Sequence, residues 1–411
     1  MKYERKTRMN NGTVKKTKVL MIASVASMID QFNMPNIRLL QRMGCDVHVA
    51  CNFDEGNTCD KRQIHSLQKT LQKMHVIYHQ WDCPRSPGSF TKCLKAYEQL
   101  LELTDRHSFD WMHCHSPIGG ALARLAAHQR KVKVIYTVHG FHFYQGAPVK
   151  NWVLFYPVEK LLAYWTDVLI TVNKEDYFFA KRNLKAGKIY YIPGVGVDTG
   201  KFSAANVSVD ADAFRKRHHI PRDAYILLSV GELSRRKNHR DVITALSKLS
   251  RRDVYYVICG QGVCGKRLMR KAVRLGVAER VRMSGFQKNI TPYYQNADIF
   301  VFPSLQEGMP VALMEAMACG LPCVVSDIRG NRELITRMGT VSGGFKYSLR
   351  QPSQLWEAIE TLLGNERLRY ACGRYNQNIM KRYDRHAVQA YMKKIYAKAF
   401  VLEERTCQKY Q

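Results

Sequence analysis

From Lys18 onward the chain alternates short apolar runs with helix-like stretches, and this rhythm constrains the fold more than any other feature. KVLMIAS reads as a buried strand, followed by a helix around Gln31 to Met43 and a second strand at DVHVACN. HVIYHQ, FDWMHCH, KVIYTVH, DVLITVN and KIYYIP continue the series, with helical patterns between most of them. Strands separated by helices predict an α/β fold with a parallel, doubly wound sheet.

The rhythm pauses after Ile192 at the Gly- and Pro-rich PGVGVDTGKF and a polar stretch that runs to about Arg222. It restarts with YILLSVG, YYVICG, VRMSGF, DIFVFPS and PCVVSD, and turns helical after Pro352. A chain of 411 residues also exceeds one ordinary core. The expected organisation is a basic N-terminal extension over 1–17, a Rossmann-like domain over 18–200 and a linker over 201–222. A second Rossmann-like domain follows over 223–383, and a C-terminal helix over 384–411 returns to the first domain. Ligands of such folds bind beyond the carboxyl ends of the strands, here in a cleft between the two sheets.

Lys and Arg number 64 against 34 Asp and Glu, a formal charge of +30, so the surface attracts anions. Nucleic acid, anionic lipid and phosphorylated substrates all qualify, but no nucleic-acid-binding module is present and nucleic acid is not expected as a partner. The 12 Cys include no C-x-x-C pair and several lie in apolar runs, which reads as reduced core thiols of a cytosolic protein. His113-Cys114-His115 reads as a strand end, because no second ligand pair stands at zinc-like spacing. The polar, basic start shows no signal peptide, and no apolar run is long enough to span a bilayer. Membrane contact is therefore expected to be peripheral, from the cytoplasmic side.

The chemistry concentrates in SLQEGMPVALMEAMACGL, residues 304–321. The strand DIFVFPS ends just before it, Glu307 occupies the loop, Pro310 suits the first turn of a helix and Gly320 ends that helix. The amides of Gly308, Met309 and Val311, with the positive end of the helix dipole, make an anion site. Glu315 lies further along the same helix, within reach of neutral hydroxyls. Seven residues separate Glu307 from Glu315, and this resembles the E-x7-E motif of retaining GT-B glycosyltransferases, family 4. The resemblance implies that Glu307 contacts hydroxyls of the donor sugar and that Glu315 binds the ribose of its nucleotide.

GELSRRKNH resembles the G-x-L-x-x-x-K-N loop of that family, which implies that Arg236 and Lys237 hold the donor diphosphate. Many members carry Arg after the Gly, where this chain has Glu232. SGFQKNI resembles the segment that cradles the base, near Phe286 and Gln287. YTVHGFHFY resembles the strand-to-loop turn that carries an active-site His, and His139 fits it better than His142, with His115 a weaker neighbour. HGFHFY, NWVLFYPVEK and TVNKED resemble the members that build capsule, exopolysaccharide or lipid-linked glycans.

The expected activity is transfer of a hexose or N-acetylhexosamine from a nucleotide-sugar, a UDP-sugar by resemblance, to a glycan or lipid-linked acceptor. Arg236, Lys237 and the helix N-terminus can neutralise the diphosphate, so no metal or other cofactor is expected. Asp210-Ala-Asp212 imitates a metal-binding D-x-D but sits in the polar linker with no strand before it. Positive charge and the aromatic stretch NWVLFYPVEKLLAYW point to an anionic membrane surface as a further partner, the competing reading being a core helix. A nucleotide-sugar epimerase of the same fold and a basic nucleic-acid-binding protein are the alternatives. KVLMIASVASM has no G-x-G-x-x-G, which argues against a dehydrogenase.

Overall fold

The computed structural model describes residues 16–54, 60–85, 88–203 and 210–407, with side chains to 400. Most of the expected basic extension lies outside these residues. By main-chain contacts the chain divides into two compact units. The first holds Met1–Thr137, Val158–Leu169 and Ala186–Lys188, and the second holds Val138–Pro157, Ile170–Lys185 and Ile189–Gln411.

Seven strands form one sheet: β1 Lys18–Ile22, β2 Asp46–Cys51, β3 Ile77–Gln80, β4 Trp111–His115, β5 Lys133–Val138, β6 Val168–Thr171 and β7 Lys188–Tyr191. Their order is 3-2-1-4-5-6-7. The pairs β1–β2, β1–β4, β2–β3 and β4–β5 are parallel. The second sheet contains β8 Tyr225–Val230, β9 Val254–Cys259, β10 Val281–Gly285, β11 Ile299–Phe302 and β12 Cys323–Ser326. A short hairpin, β13 Arg337–Met338 with β14 Val341–Ser342, precedes β15 Gly344–Tyr347. The order of the second sheet is 10-9-8-11-12-15, all parallel. The doubly wound α/β architecture expected from the strand–helix rhythm is thus present twice.

Strand alternation builds two cores on the second sheet. Ile226, Leu228, Phe300 and Phe302 face one side, where Leu313, Met314 and Met317 of the helix Val311–Ala318 and Met380 cover them. Leu227, Tyr256, Ile299 and Val301 face the other, under the helices His239–Lys248, Gly265–Arg274 and Ser353–Leu363.

Three local features depart from the sequence reading. The helix expected near Gln31–Met43 begins earlier, at Ala26–Met28, and passes through a π-helical turn, Ile29–Asn33, before Met34–Arg42. Part of the polar linker is the helix Ala211–Arg217, whose Phe214 joins the second unit's core. The Gly-rich PGVGVDTGKF pairs with the chain near Asp384: the Val197 N–H donates to the Tyr383 carbonyl and the Arg385 N–H to the Val197 carbonyl. The ten cysteines with described side chains form no disulfide, and most are buried. Among the described residues no helix is long and apolar enough to cross a membrane.

Candidate functional site

β8 and β11 are neighbours in the second sheet, with Leu227 beside Ile299 and Leu228 beside Phe300. Parallel neighbours end at the same edge, so the loops that follow them, 231–238 and 303–310, abut although some 70 residues separate them. The Leu305 N–H donates to the Arg236 carbonyl at 2.8 Å. Asn238 adopts a left-handed φ of 55° and its amide donates to Asp241 at 2.6 Å and to the Pro303 carbonyl at 3.1 Å. The Lys237 stem lies across Gly231, where a Cβ would come within 3.2 Å of it. Lys237 Nζ sits 4.6 Å from the centre of the Phe302 ring.

Two cations converge on one carboxylate oxygen. Arg236 Nη1 donates to Glu307 Oε1 at 2.9 Å and Lys237 Nζ donates to the same atom at 2.8 Å. Glu307 and Lys237 expose only 9% and 12% of their side chains, whereas Arg236 exposes 45%. Burial raises the Glu307 pKa, but the charges of Lys237 and Arg236 outweigh it and hold the group below the ordinary carboxylate value. The triad is ionised and keeps one excess positive charge.

The same loop leads into Val311–Ala318, whose first amides have no acceptor within the helix. Pro310 is the cap of this helix and not its first turn: it is extended, with ψ 114°, and its carbonyl accepts the Met314 N–H at 3.2 Å. Gly320 ends the helix with φ 81°. Glu315 accepts a hydrogen bond from the Tyr294 hydroxyl at 2.9 Å. Burial pushes its pKa up to about 7, against the pull of that bond and of Lys201 and Arg385. Phe286 is half-exposed beyond β10, and the Gln287 amide folds back onto the Ser284 carbonyl.

His139, Gly140 and Gly308 meet through their main chains. A Cβ on Gly308 would stand 1.8 Å from the His139 carbonyl oxygen, and one on Gly140, at φ 129°, would stand 2.9 Å from Gly308 Cα. Only glycine permits this approach. Burial lowers the His139 pKa to about 4, so its imidazole is neutral at physiological pH. His115 is buried in β4, 3.2 Å from Met21 Sδ, and His113 pairs with Thr137 at 2.9 Å, as a strand end requires. Asp210 caps its helix by accepting the Ala213 N–H at 3.0 Å, and Asp212 lies 3.5 Å from Arg222.

Sequence reasoning missed Arg329. It follows β12, the next strand after β11, so its loop also borders Glu307. Its guanidinium donates to Asp176 at 2.5 Å, to the Phe141 carbonyl at 3.0 Å and to the Glu307 carbonyl at 3.4 Å, and lies 4.6 Å from the Tyr144 ring. Asp176 also accepts from the Phe141 N–H at 3.2 Å and from Asn173 at 2.7 Å. One buried ion pair thus ties the chain after His139 to the loop of Glu307. The run of strand, DIRG and helix after VVS was the local signal, but the Asp176 partner is 153 residues away.

Residues 37–201 match the family Glycosyltransferase Family 4 and residues 210–379 match Glycosyl transferases group 1. EpsD of Bacillus subtilis (strain 168), named as a glycosyltransferase, is 34% identical over 388 residues, 92% of this chain and 96% of that protein. The UDP-Gal:alpha-D-GlcNAc-diphosphoundecaprenol alpha-1,3-galactosyltransferase of Escherichia coli is 33% identical over 256 residues, 60% of this chain and 65% of that one. Among solved structures, Anabaena HepE in complex with UDP-glucose superposes with a TM-score of 0.74 at 17% identity, covering 93% of this chain and 99% of that one.

Proposed function

The chain belongs to the GT-B glycosyltransferases of family 4, and from that premise we propose that it moves a sugar from a UDP-sugar to a lipid-linked or glycan acceptor, with retention at the anomeric carbon. The observation that carries this reading is the convergence of Arg236 and Lys237 on Glu307 Oε1 beside the N-terminus of Val311–Ala318. The one carboxylate is shared between both cations and leaves the triad with one excess positive charge. A diphosphate arriving at the helix N-terminus competes for them and releases Glu307 to accept hydroxyls of the donor sugar. As the bond from the anomeric carbon to the diphosphate breaks, Arg236, Lys237 and the amides of Gly308, Met309 and Val311 stabilise the charge on the leaving oxygen.

Glu315 takes the ribose hydroxyls, with Phe286 and Gln287 beside the base, and His139 stands near the sugar as a neutral imidazole. Neither Glu is the general base. Glu307, once released by the diphosphate, is taken up by hydroxyls of the donor sugar, and Glu315 is engaged by Tyr294. These fixed cations make a divalent metal unnecessary, so activity persists in chelator. Loss of activity in chelator, restored by magnesium, contradicts this part.

Lipid-linked acceptors are supported by the galactosyltransferase relative, whose name gives a diphosphoundecaprenol substrate. The helix Val149–Ala163 turns Trp152 and Tyr156 onto Phe143 and Phe179 but leaves Val149, Val153 and Leu154 at 78%, 71% and 58% exposure. It is therefore neither a wholly buried helix nor a wholly solvated one. With Lys150 and Lys160 on the same helix, its exposed side suits peripheral docking on the anionic inner face of a membrane. Sedimentation with anionic vesicles at low salt checks this, and no binding there removes it. The main test is Lys237→Ala, which lowers turnover by about 100-fold or more with the fold intact. Full activity in a folded Lys237→Ala enzyme overturns the diphosphate assignment.

A further inference from the structure

The edge of the first sheet carries three histidines that the proposed transfer does not use. His48 lies on β2, His79 on the adjacent edge strand β3, and His107 ends the helix Phe90–His107. Among the described residues these three alone offer a group of metal-ligating atoms, all within 4.8 Å of one another. His48 Nδ1 and His79 Nε2 are 3.0 Å apart. The rings of His48 and His79 stack at 5.3 Å between centroids, and His107 lies 5.0 Å and 4.9 Å from them.

We propose that His48, His79 and His107 form a binding site for a divalent transition-metal ion of the zinc class, clamping the edge strand β3 and the helix end to β2. All three donors are imidazoles, which suits zinc, copper and nickel over magnesium or calcium. Zn–N bonds of about 2.0–2.1 Å place the nitrogens of a tetrahedral site about 3.4 Å apart. The His48–His79 separation opens slightly to reach this, and His107 moves inward. The proton now shared between those two rings shifts to the other nitrogen of the ring that holds it, so both stay neutral and no net proton leaves.

The surroundings fit this assignment. The other nitrogen of His48, Nε2, faces Asp46 at 3.8 Å, the carboxylate position that commonly orients a metal-bound imidazole. Phe109 closes one side, with its ring 5.1 Å from His48 and 5.8 Å from His107. Lys18 donates to the His107 carbonyl at 2.9 Å and fixes the helix end. A surface cavity of about 380 Å³ opens beside His79, lined also by Tyr78, Gln99, Glu102 and Arg106. Three protein ligands leave a fourth position for water.

The test uses the untagged full chain stripped with EDTA. Cobalt titration should give one ion per chain with ligand-field bands in the visible, and zinc should displace it and raise Tm by at least about 3 °C. His79→Ala and His107→Ala, checked by circular dichroism, should each lose the bands and the zinc-dependent rise. Asp46→Asn should weaken cobalt binding by about tenfold. No saturable cobalt binding by the wild-type chain overturns the proposal. So does binding that persists in folded His107→Ala, which would place the metal on other ligands such as the cysteines.

Discussion

Replacing Glu315 by Gln should make the protein more stable at alkaline pH while impairing its binding of nucleotide. The carboxyl titrates near 7 in the folded chain, against an ordinary value of 4.5, because burial penalises its charge. Raising a pKa by one is worth about 1.4 kcal/mol, so holding the charge in the folded state costs about 3 kcal/mol. The folded state binds the proton more tightly than the unfolded one, so this group's contribution is fully present below about pH 4.5. It falls as pH rises towards 7 and stays lost above it. Gln keeps an acceptor for the Tyr294 hydroxyl and removes the buried charge. At pH 8 Glu315→Gln should therefore gain about 2 to 3 kcal/mol over wild type, and at pH 5 most of the difference should vanish. Urea unfolding of both proteins at the two pH values measures this, since other titrating groups cancel in the comparison. A variant that is less stable than wild type at pH 8, or whose advantage does not change with pH, refutes the burial argument.

Other perturbations address the remaining contacts. Arg329→Ala leaves Asp176 buried without its partner and should cost about 3 to 5 kcal/mol, read as a lower urea midpoint. Gly308→Ala places a methyl group against the His139 carbonyl, where only main-chain movement can relieve the clash, so it should lower both Tm and turnover even though the added group is small. Glu307→Gln removes the competitor for Arg236 and Lys237. Calorimetry should find inorganic diphosphate bound more tightly than by wild type, while sugar transfer falls by about 100-fold.

Much of this was legible in the sequence because it is written locally. Apolar runs marked β1 to β12, and the strand, loop and helix around Glu307 could be read from DIFVFPSLQEGMPVALMEAMACG. β15 was not legible, because GFKY is short and polar and becomes a strand only by pairing with β12. The helix Ala211–Arg217 was hidden in a polar stretch, and the helix's single large apolar residue, Phe214, supplies its anchor. The loop of Arg236 and Lys237 was identifiable, but its ion pairs with Glu307 depend on β8 and β11 being adjacent, which no local pattern encodes. Arg329 with Asp176, Tyr294 with Glu315 and the three histidines at β3 were invisible for the same reason. Each joins residues that only the sheet order or the packing of a helix end brings together.

The proposed transfer of a sugar takes place at the site of Arg236, Lys237 and Glu307. Its most direct test is mass spectrometry of a lipid-diphosphate-linked sugar incubated with the enzyme and a panel of UDP-sugars. The prediction is that one UDP-sugar adds a single sugar mass to the acceptor, and that Lys237→Ala, although folded, adds none on the same timescale. Interconversion of the UDP-sugars with no change in acceptor mass would contradict it.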